Sequence, residues 1–385
     1  MAYTVLARKY RSKDFDQLVG QEPIARTLTA AIEQGRVAHA YLFCGTRGVG
    51  KTSAARIFAN AINNPDADPE VTRAIMTGSD VDTIEIDGAS NNKVEEARDL
   101  IANSVYRPMR GRSKIYIIDE VHMLSTAAFN ALLKTMEEPP EHVMFILCTT
   151  DPQKVPATIQ SRCQRFDFRN ISSARIAGHL NDVLQQEGIE AETEVVHAVA
   201  RLGNGSMRDA LSLLDRLMAV GEKKLTTALL EDLLGLPDRE VVAGLIDAFA
   251  DGDPGVALTK AGELLSRGIS ADQALESLLD RLRDLMVLGA CGKDTDLVDL
   301  SDEARTQEFE RSQRFDAAGL VHMIALCESV QRSIKTSSAP RALFDAAMVR
   351  LALTEKLADV TAVVAAASGG ARLKAPAGRA TSKKA

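Results

Sequence analysis

Apolar positions fall into two regimes along the chain. Up to about residue 170, short and nearly unbroken apolar runs recur at 41–44, 82–87, 114–119 and 143–150. Runs of this length read as strands buried on both faces. The helical stretches between them predict a parallel α/β sheet. From about 171 the strand signal disappears. One helix is predicted over 173–188, ending at Gly188, and a second over 192–202, stopping at Gly-Asn-Gly. A third starts at Ser206, with Asp209 three residues on to close a capping box. A further helical region over 238–358 carries the pair Ser270 and Gln273, then leucines at 275, 278, 279, 282 and 285. The pattern predicts an α/β domain over 1–170, a helical domain over 171–237 and a second all-helical domain over 238–358. Residues 361–385 are rich in Ala, Gly and Ser and hold five Lys or Arg with no acid. A disordered basic tail is expected from 359 on.

Composition narrows the functional classes. The chain has 385 residues and a formal net charge of -7, which gives no global basic surface. Aromatics make up 4% and Trp is absent, so base stacking on aromatic platforms is disfavoured. Nucleic-acid contact would rest on a local patch or on backbone N–H groups. The five cysteines, at 44, 148, 163, 291 and 327, lack metal-ligand spacing and are expected to be reduced. The first ten residues contain no apolar signal core, and no apolar run approaches membrane-spanning length. A cytoplasmic protein is expected, neither secreted nor membrane-spanning.

The chemistry begins at "GTRGVGKT", residues 45–52. This matches G-x4-G-K-T between a strand and a helix, the context of a P-loop. Gly45, Gly48 and Gly50 let the backbone turn its N–H groups toward phosphate, with Thr46, Arg47 and Val49 completing the cradle. Lys51 is expected to reach the β- and γ-phosphates, and Thr52 to hold Mg²⁺. In "IYIIDEVH" four apolar residues deliver Asp119 and Glu120 to a strand end. Asp119 suits Mg²⁺ coordination through water, and Glu120 suits deprotonation of an attacking water. Thr149 and Thr150 close the next strand, and either suits a bond to the γ-phosphate or to that water.

These motifs, with "KYRSKDFDQLVGQE", "CTTDPQKVPATIQSRCQRF" and "GSMRDALSLLD", resemble the gamma/tau family of clamp-loader ATPases of bacterial DNA polymerase III. The likeness is strong over roughly 3–220 and weaker through the helical remainder. It implies an AAA+ module, a helical lid and a helical collar. The collar would join copies of the chain with delta- and delta-prime-type subunits in a pentameric ring. That ring would open a sliding clamp on ATP binding and leave it closed on primed DNA after hydrolysis. The resemblance makes Arg162 an arginine finger for the neighbouring subunit's ATP, where position alone suggests an intrachain salt bridge. It makes Arg208 a sensor for the chain's own γ-phosphate, favours Thr150 over Thr149, and places Arg8, Tyr10, Val19 and Gly20 around the adenine. Asn92 and Lys93, at a helix start, resemble an element that tracks a DNA strand. The basic cluster at 106–114 is read as a solvated loop.

Two departures stand out. Where the family carries a four-cysteine zinc module, residues 63–80 hold no cysteine. No zinc is predicted there, only a short acidic loop and helix away from the ATP site. Ser12 stands where proline is usual, which is expected to loosen one turn. The chain ends after the collar and tail, which resembles the short gamma form or a truncated piece. Two other readings compete: an ATP-binding ring scaffold with little hydrolysis, and another AAA+ DNA motor such as a branch-migration helicase.

Overall fold

The computed structural model describes residues 3–90, 104–295 and 297–367. Asn92 and Lys93 lie outside them. The chain divides into two compact units, Met1–Thr227 and Ala228–Ala385.

The first unit is built on a parallel five-stranded sheet. Its strands are β1 (Ala40–Cys44), β2 (Thr83–Asp87), β3 (Lys114–Asp119), β4 (Val143–Thr149) and β5 (Gln164–Asp167). Their order across the sheet is β2-β3-β4-β1-β5, with every pairing parallel. Strand side chains alternate between faces, and two cores result. Tyr41, Phe43, Ile115, Ile117, Ile146 and Cys148 pack with Leu28 of helix Glu22–Glu33 and with Ile57 and Phe58 of helix Lys51–Asn63. Leu42, Cys44, Tyr116, Ile118, Phe145 and Leu147 face the other way, onto Phe129, Leu132 and Met136 of helix Thr126–Glu137. Each such side chain contributes about 1.5–3 kcal/mol by leaving water.

The strands expected from apolar runs are all present. β5 is not among them. It is an edge strand of four residues, mostly exposed, and Gln164, Arg165 and Asp167 hide the strand period. The register sets the ends of neighbouring strands level: Cys44 pairs with Thr149, and Asp87 with Asp119. The loops after β1, β3 and β4 therefore share one sheet edge, where ligands bind in open α/β sheets.

Three helices follow in the same unit, Ser173–Glu187, Thr193–Leu202 and Met207–Met218. Gly188 ends the first in the left-handed region at φ 68°, where glycine carries no side-chain penalty. The Ser206 hydroxyl accepts the Asp209 N–H at 3.2 Å and starts the third. The expectation of an all-helical region over 171–237 is not met: Glu190–Ala191 and Lys224–Leu225 pair as a two-residue parallel ladder.

The second unit is helical among its described residues. Val242, Leu245, Phe249, Leu278, Leu282 and Met348 belong to one aliphatic core. Ser270 and Gln273 form the expected capping box on helix Ala271–Cys291. The last helix, Pro340–Ala367, runs past position 359, where the composition predicts a disordered tail. Its Ala-rich end has high helix propensity, which the tail prediction underweighted.

Candidate functional site

The P-loop leaves β1 and enters helix Lys51–Asn63. Gly48 and Gly50 adopt φ 77° and 102°, conformations that a side chain would strain. Gly48 is required twice over, because a Cβ there would lie 1.9 Å from the Ser206 hydroxyl oxygen. Lys51 is buried, and its ammonium donates to the carbonyls of Gly45 and Thr46, both at 2.8 Å. Burial lowers its pKa, against the opposing pull of Cys148, Glu120 and Asp119. The Thr52 hydroxyl donates to Asp119 Oδ2 at 2.7 Å. A hydroxyl and a carboxylate thus converge as hard oxygen donors, a pair that fits Mg²⁺.

Glu120 sits just past β3 with φ 45°, a left-handed conformation costing about 1–3 kcal/mol in a residue other than glycine. Its Oε2 accepts the Thr150 hydroxyl at 2.9 Å and the Thr150 N–H at 3.3 Å. His122 Nδ1 stands 3.5 Å from the same oxygen and 3.0 Å from the Thr149 hydroxyl. The two threonines therefore differ: Thr150 touches Glu120 directly, while Thr149 is fully buried and holds His122.

These groups border one cavity of about 1210 Å³. Arg8, Tyr10, Val19, Arg47, Gly48, Val49, Gly50, Lys51, Thr52, Asp119, Glu120 and Arg208 all line it. Gly45, Thr46, Gly20, Thr150 and Arg162 do not. Gly45 is pinned against Phe168, whose carbonyl oxygen would lie 2.6 Å from an added Cβ. Thr46 donates to Asn170 at 2.6 Å. Gly20, with φ 78°, packs beside Ile171.

Arg162 follows the short helix Ala157–Gln160 and makes bonds within its own chain. It donates to the Thr158 carbonyl at 2.6 Å and to Glu137 at 2.5 Å. The pair is solvent-accessible, with side-chain exposures of 32% and 50%, so it is weak and exchangeable.

The structure adds residues that the sequence did not single out. Thr72, Arg73, Met76 and Thr77 line the cavity from helix Pro69–Thr77. The cysteine-free segment therefore borders this site, contrary to the expectation that it lies elsewhere. Arg56 also lines the cavity and grips Glu85 with two bonds, at 2.6 and 2.8 Å. Arg11 lines it beside the expected Arg8 and Tyr10. Ser12 does not loosen its turn. Its hydroxyl donates to the Gln17 carbonyl at 2.9 Å, and the Lys13 N–H donates to Gln17 Oε1 at 3.0 Å. The Tyr10 hydroxyl and Lys9 ammonium both reach Glu187 at 2.6 Å, tying the cavity's N-terminal wall to helix Ser173–Glu187.

In the basic cluster, Asp82 organises the loop. It accepts the N–H groups of Met109, Arg110 and Gly111 at 2.7, 2.6 and 2.7 Å. Arg110 pairs with Asp80 at 2.5 Å.

Three family models cover the chain in sequence. "DNA polymerase III, delta subunit" matches residues 20–172. "DNA polymerase III clamp loader subunit, ATPase lid domain" matches 175–223. "DNA polymerase III subunits gamma and tau domain III" matches 225–365. The chain is 40% identical to DNA polymerase III subunit tau of Bacillus subtilis, over 92% of this chain and 64% of the relative. It is 41% identical to DNA polymerase III subunit gamma of Buchnera aphidicola, over 62% of this chain and 68% of the relative. A solved structure of the Thermotoga maritima RuvB Holliday junction branch migration motor is 20% identical, covering 61% of this chain and 78% of that one with a TM-score of 0.47. The chain spans about half to two thirds of the length of the tau relatives it matches.

Proposed function

The chain belongs to the family of DNA polymerase III subunits gamma and tau, and from that premise we propose that it is the ATP-hydrolysing motor subunit of a clamp loader. One observation carries the reading: buried Lys51, the Thr52–Asp119 pair and Glu120 border a single cavity at the C-terminal edge of the sheet. In this reading residues 1–170 bind the nucleotide, 171–237 form the lid, and 238–358 form the collar.

Bound ATP with Mg²⁺ supplies the scissile γ-phosphate and a divalent charge that offsets it. The protein's contribution is positioning. The loop N–H groups and the start of helix Lys51–Asn63 favour a polyanion. Lys51 places its charge under the loop, and Thr52 and Asp119 offer the oxygens for Mg²⁺. Glu120 takes the proton of the attacking water, and Thr150 orients Glu120. Arg208 extends from the lid to the chain's own phosphates. Arg162 leaves Glu137 to complete the site of a neighbouring subunit, so that hydrolysis depends on assembly.

The proposed partners are further copies and delta- and delta-prime-type subunits in a pentamer, a sliding clamp and primed DNA, all in the cytoplasm. Among the described residues no helix is long and apolar enough to cross a membrane. The proposed DNA contacts are Asn92 and Lys93. Steady-state ATPase with and without clamp and primed DNA tests the reading, and turnover indifferent to both overturns it. Native mass spectrometry with the other subunits separates the rivals: a mixed pentamer supports the loader, and a homohexamer the helicase. Tight ATP binding without turnover, in the presence of every partner, would leave the scaffold.

A further inference from the structure

His122 stands beside Glu120 without a part in the chemistry described so far. It lies in the short 3₁₀ turn Val121–Met123, directly after the strained φ 45° of Glu120. That turn carries the imidazole from the end of β3 to the end of β4. Its side chain is only 10% exposed. Nδ1 stands 3.0 Å from the Thr149 hydroxyl and 3.5 Å from Glu120 Oε2. The ring is anchored: Thr149 is fully buried, and its hydroxyl oxygen also accepts the Asp151 N–H at 3.0 Å. The two threonines at the end of β4 therefore reach one carboxylate by different routes. Thr150 bonds it directly, and Thr149 acts through the ring.

The contacts of Glu120 are lopsided. Oε2 takes the Thr150 hydroxyl at 2.9 Å, the Thr150 N–H at 3.3 Å and the edge of the imidazole. Oε1 has no hydrogen-bond partner among the described residues, and Glu120 borders the cavity. The terminal torsion of a glutamate is soft. Left to itself, the group would exchange its two oxygens. Donors gathered on one oxygen leave the other with its lone pairs free.

We propose that His122 is a positioning residue for hydrolysis: it holds Oε2 of Glu120 so that Oε1 is the oxygen that takes the proton of the attacking water. Nδ1 carries hydrogen in this arrangement. An N–H there donates to Thr149 and turns its positive end toward Oε2, whereas a bare nitrogen would set a lone pair against an anion. In the reaction the water O–H bond breaks and its proton goes to Oε1. The water oxygen bonds the γ-phosphorus, and the bond to the bridging oxygen breaks to release ADP. His122 itself neither gains nor loses a proton. The inference rests on the nucleotide reading above, in which Glu120 is the base.

The test uses the full chain with His122→Ala, His122→Asn, His122→Gln and Thr149→Val. ATP affinity and melting temperature are read on each chain, and single-turnover hydrolysis in rings with the other loader subunits, clamp and primed DNA. His122→Ala should slow hydrolysis by about 10- to 100-fold and leave ATP affinity within about twofold. An asparagine amide reaches the Nδ1 position, and a glutamine amide overshoots it. His122→Asn should therefore recover most of the rate, and His122→Gln should not. Thr149→Val should slow hydrolysis similarly, and adding it to His122→Ala should cost little more, because the two residues act in series. If His122→Ala fails to fold, the asparagine–glutamine contrast and Thr149→Val carry the test. An unchanged rate in His122→Ala, a joint fall of rate and affinity, an asparagine variant as slow as the glutamine one, or additive losses with Thr149→Val overturns the proposal and leaves His122 structural. Full hydrolysis in Glu120→Gln, or intact ATP binding in Lys51→Ala, would instead overturn the reading it rests on.

Discussion

The arginines of the helical unit differ from most of those that line the cavity of the first unit, where Arg56, held by Glu85, is the exception. In the helical unit, several arginines are held by carboxylates. Arg311 bonds Asp247 at 3.0 Å and Glu308 at 2.7 Å, and Arg281 bonds Glu308 and the Arg239 carbonyl. Arg314 bridges Asp247 and Asp251, each at 2.7 Å. Around the cavity of the first unit, Arg8, Arg11, Arg47, Arg73 and Arg208 make no side-chain hydrogen bond to other described residues. Paired cations hold helices in place. Unpaired cations gathered at one sheet edge keep their hydrogen-bonding capacity for something that arrives. Arg162 is the intermediate case, paired but exposed.

Arg162 is where this contrast can be broken most forcefully. Arg162→Ala should lower ATP turnover in assembled rings by about 10³- to 10⁵-fold, whereas Glu137→Ala should leave turnover nearly unchanged. Equal losses would make the pair structural. Mixing Arg162→Ala chains with Lys51→Ala chains should restore hydrolysis at mixed interfaces. Glu120→Gln should keep ATP binding and reduce hydrolysis by about 10²- to 10⁴-fold, read by single-turnover assay. A smaller loss would move the base elsewhere.

In the helical unit, Glu308→Ala leaves Arg281 and Arg311 short of a buried partner. It should cost about 3–5 kcal/mol in the unfolding transition of that unit, followed by circular dichroism in urea. A loss under about 1 kcal/mol would mean that its arginines are as loosely held as surface pairs.

The smallest effect concerns Asp82, a buried carboxylate that uses backbone N–H groups in place of an arginine. Burial pushes its pKa up, but the N–H groups of Gly111, Met109 and Arg110 outweigh that, and the net shift is downward. A lowered folded pKa stabilises the fold above the unfolded value, and that contribution is lost as pH falls through the folded value. Wild type should therefore lose stability below about pH 4 more steeply than Asp82→Asn, as read by melting temperature against pH. Parallel curves would remove Asp82 from this role.

Much of the fold was legible because its signals are local. Inner strands buried on both faces announce themselves as apolar runs, and the P-loop and the Asp119–Glu120 pair are short motifs beside them. β5 was not legible, since three of its four residues are polar and exposed, whereas β2, at the opposite edge, keeps an apolar run. Nor was the partner of Arg162, because Glu137 lies 25 positions away in sequence. Arg11 follows Tyr10, which is expected at the adenine, yet its own place in the cavity depends on burial, which no linear pattern encodes. The expectation that Ser12 loosens its turn failed for a similar reason. It counted the lost proline ring and could not see the hydroxyl bond to Gln17. The expectation for residues 63–80 failed because a cavity wall is assembled from segments distant in sequence.

Gly48 has a mechanical consequence. With no side chain on Gly48, the loop backbone and the Ser206 hydroxyl lie against each other, closer than a Cβ there would allow. Most joints between elements have a compressible layer of rotatable side chains. This one has a single short side chain, the Ser206 hydroxyl, so a shift of the loop would meet the first turn of helix Met207–Met218 across one group.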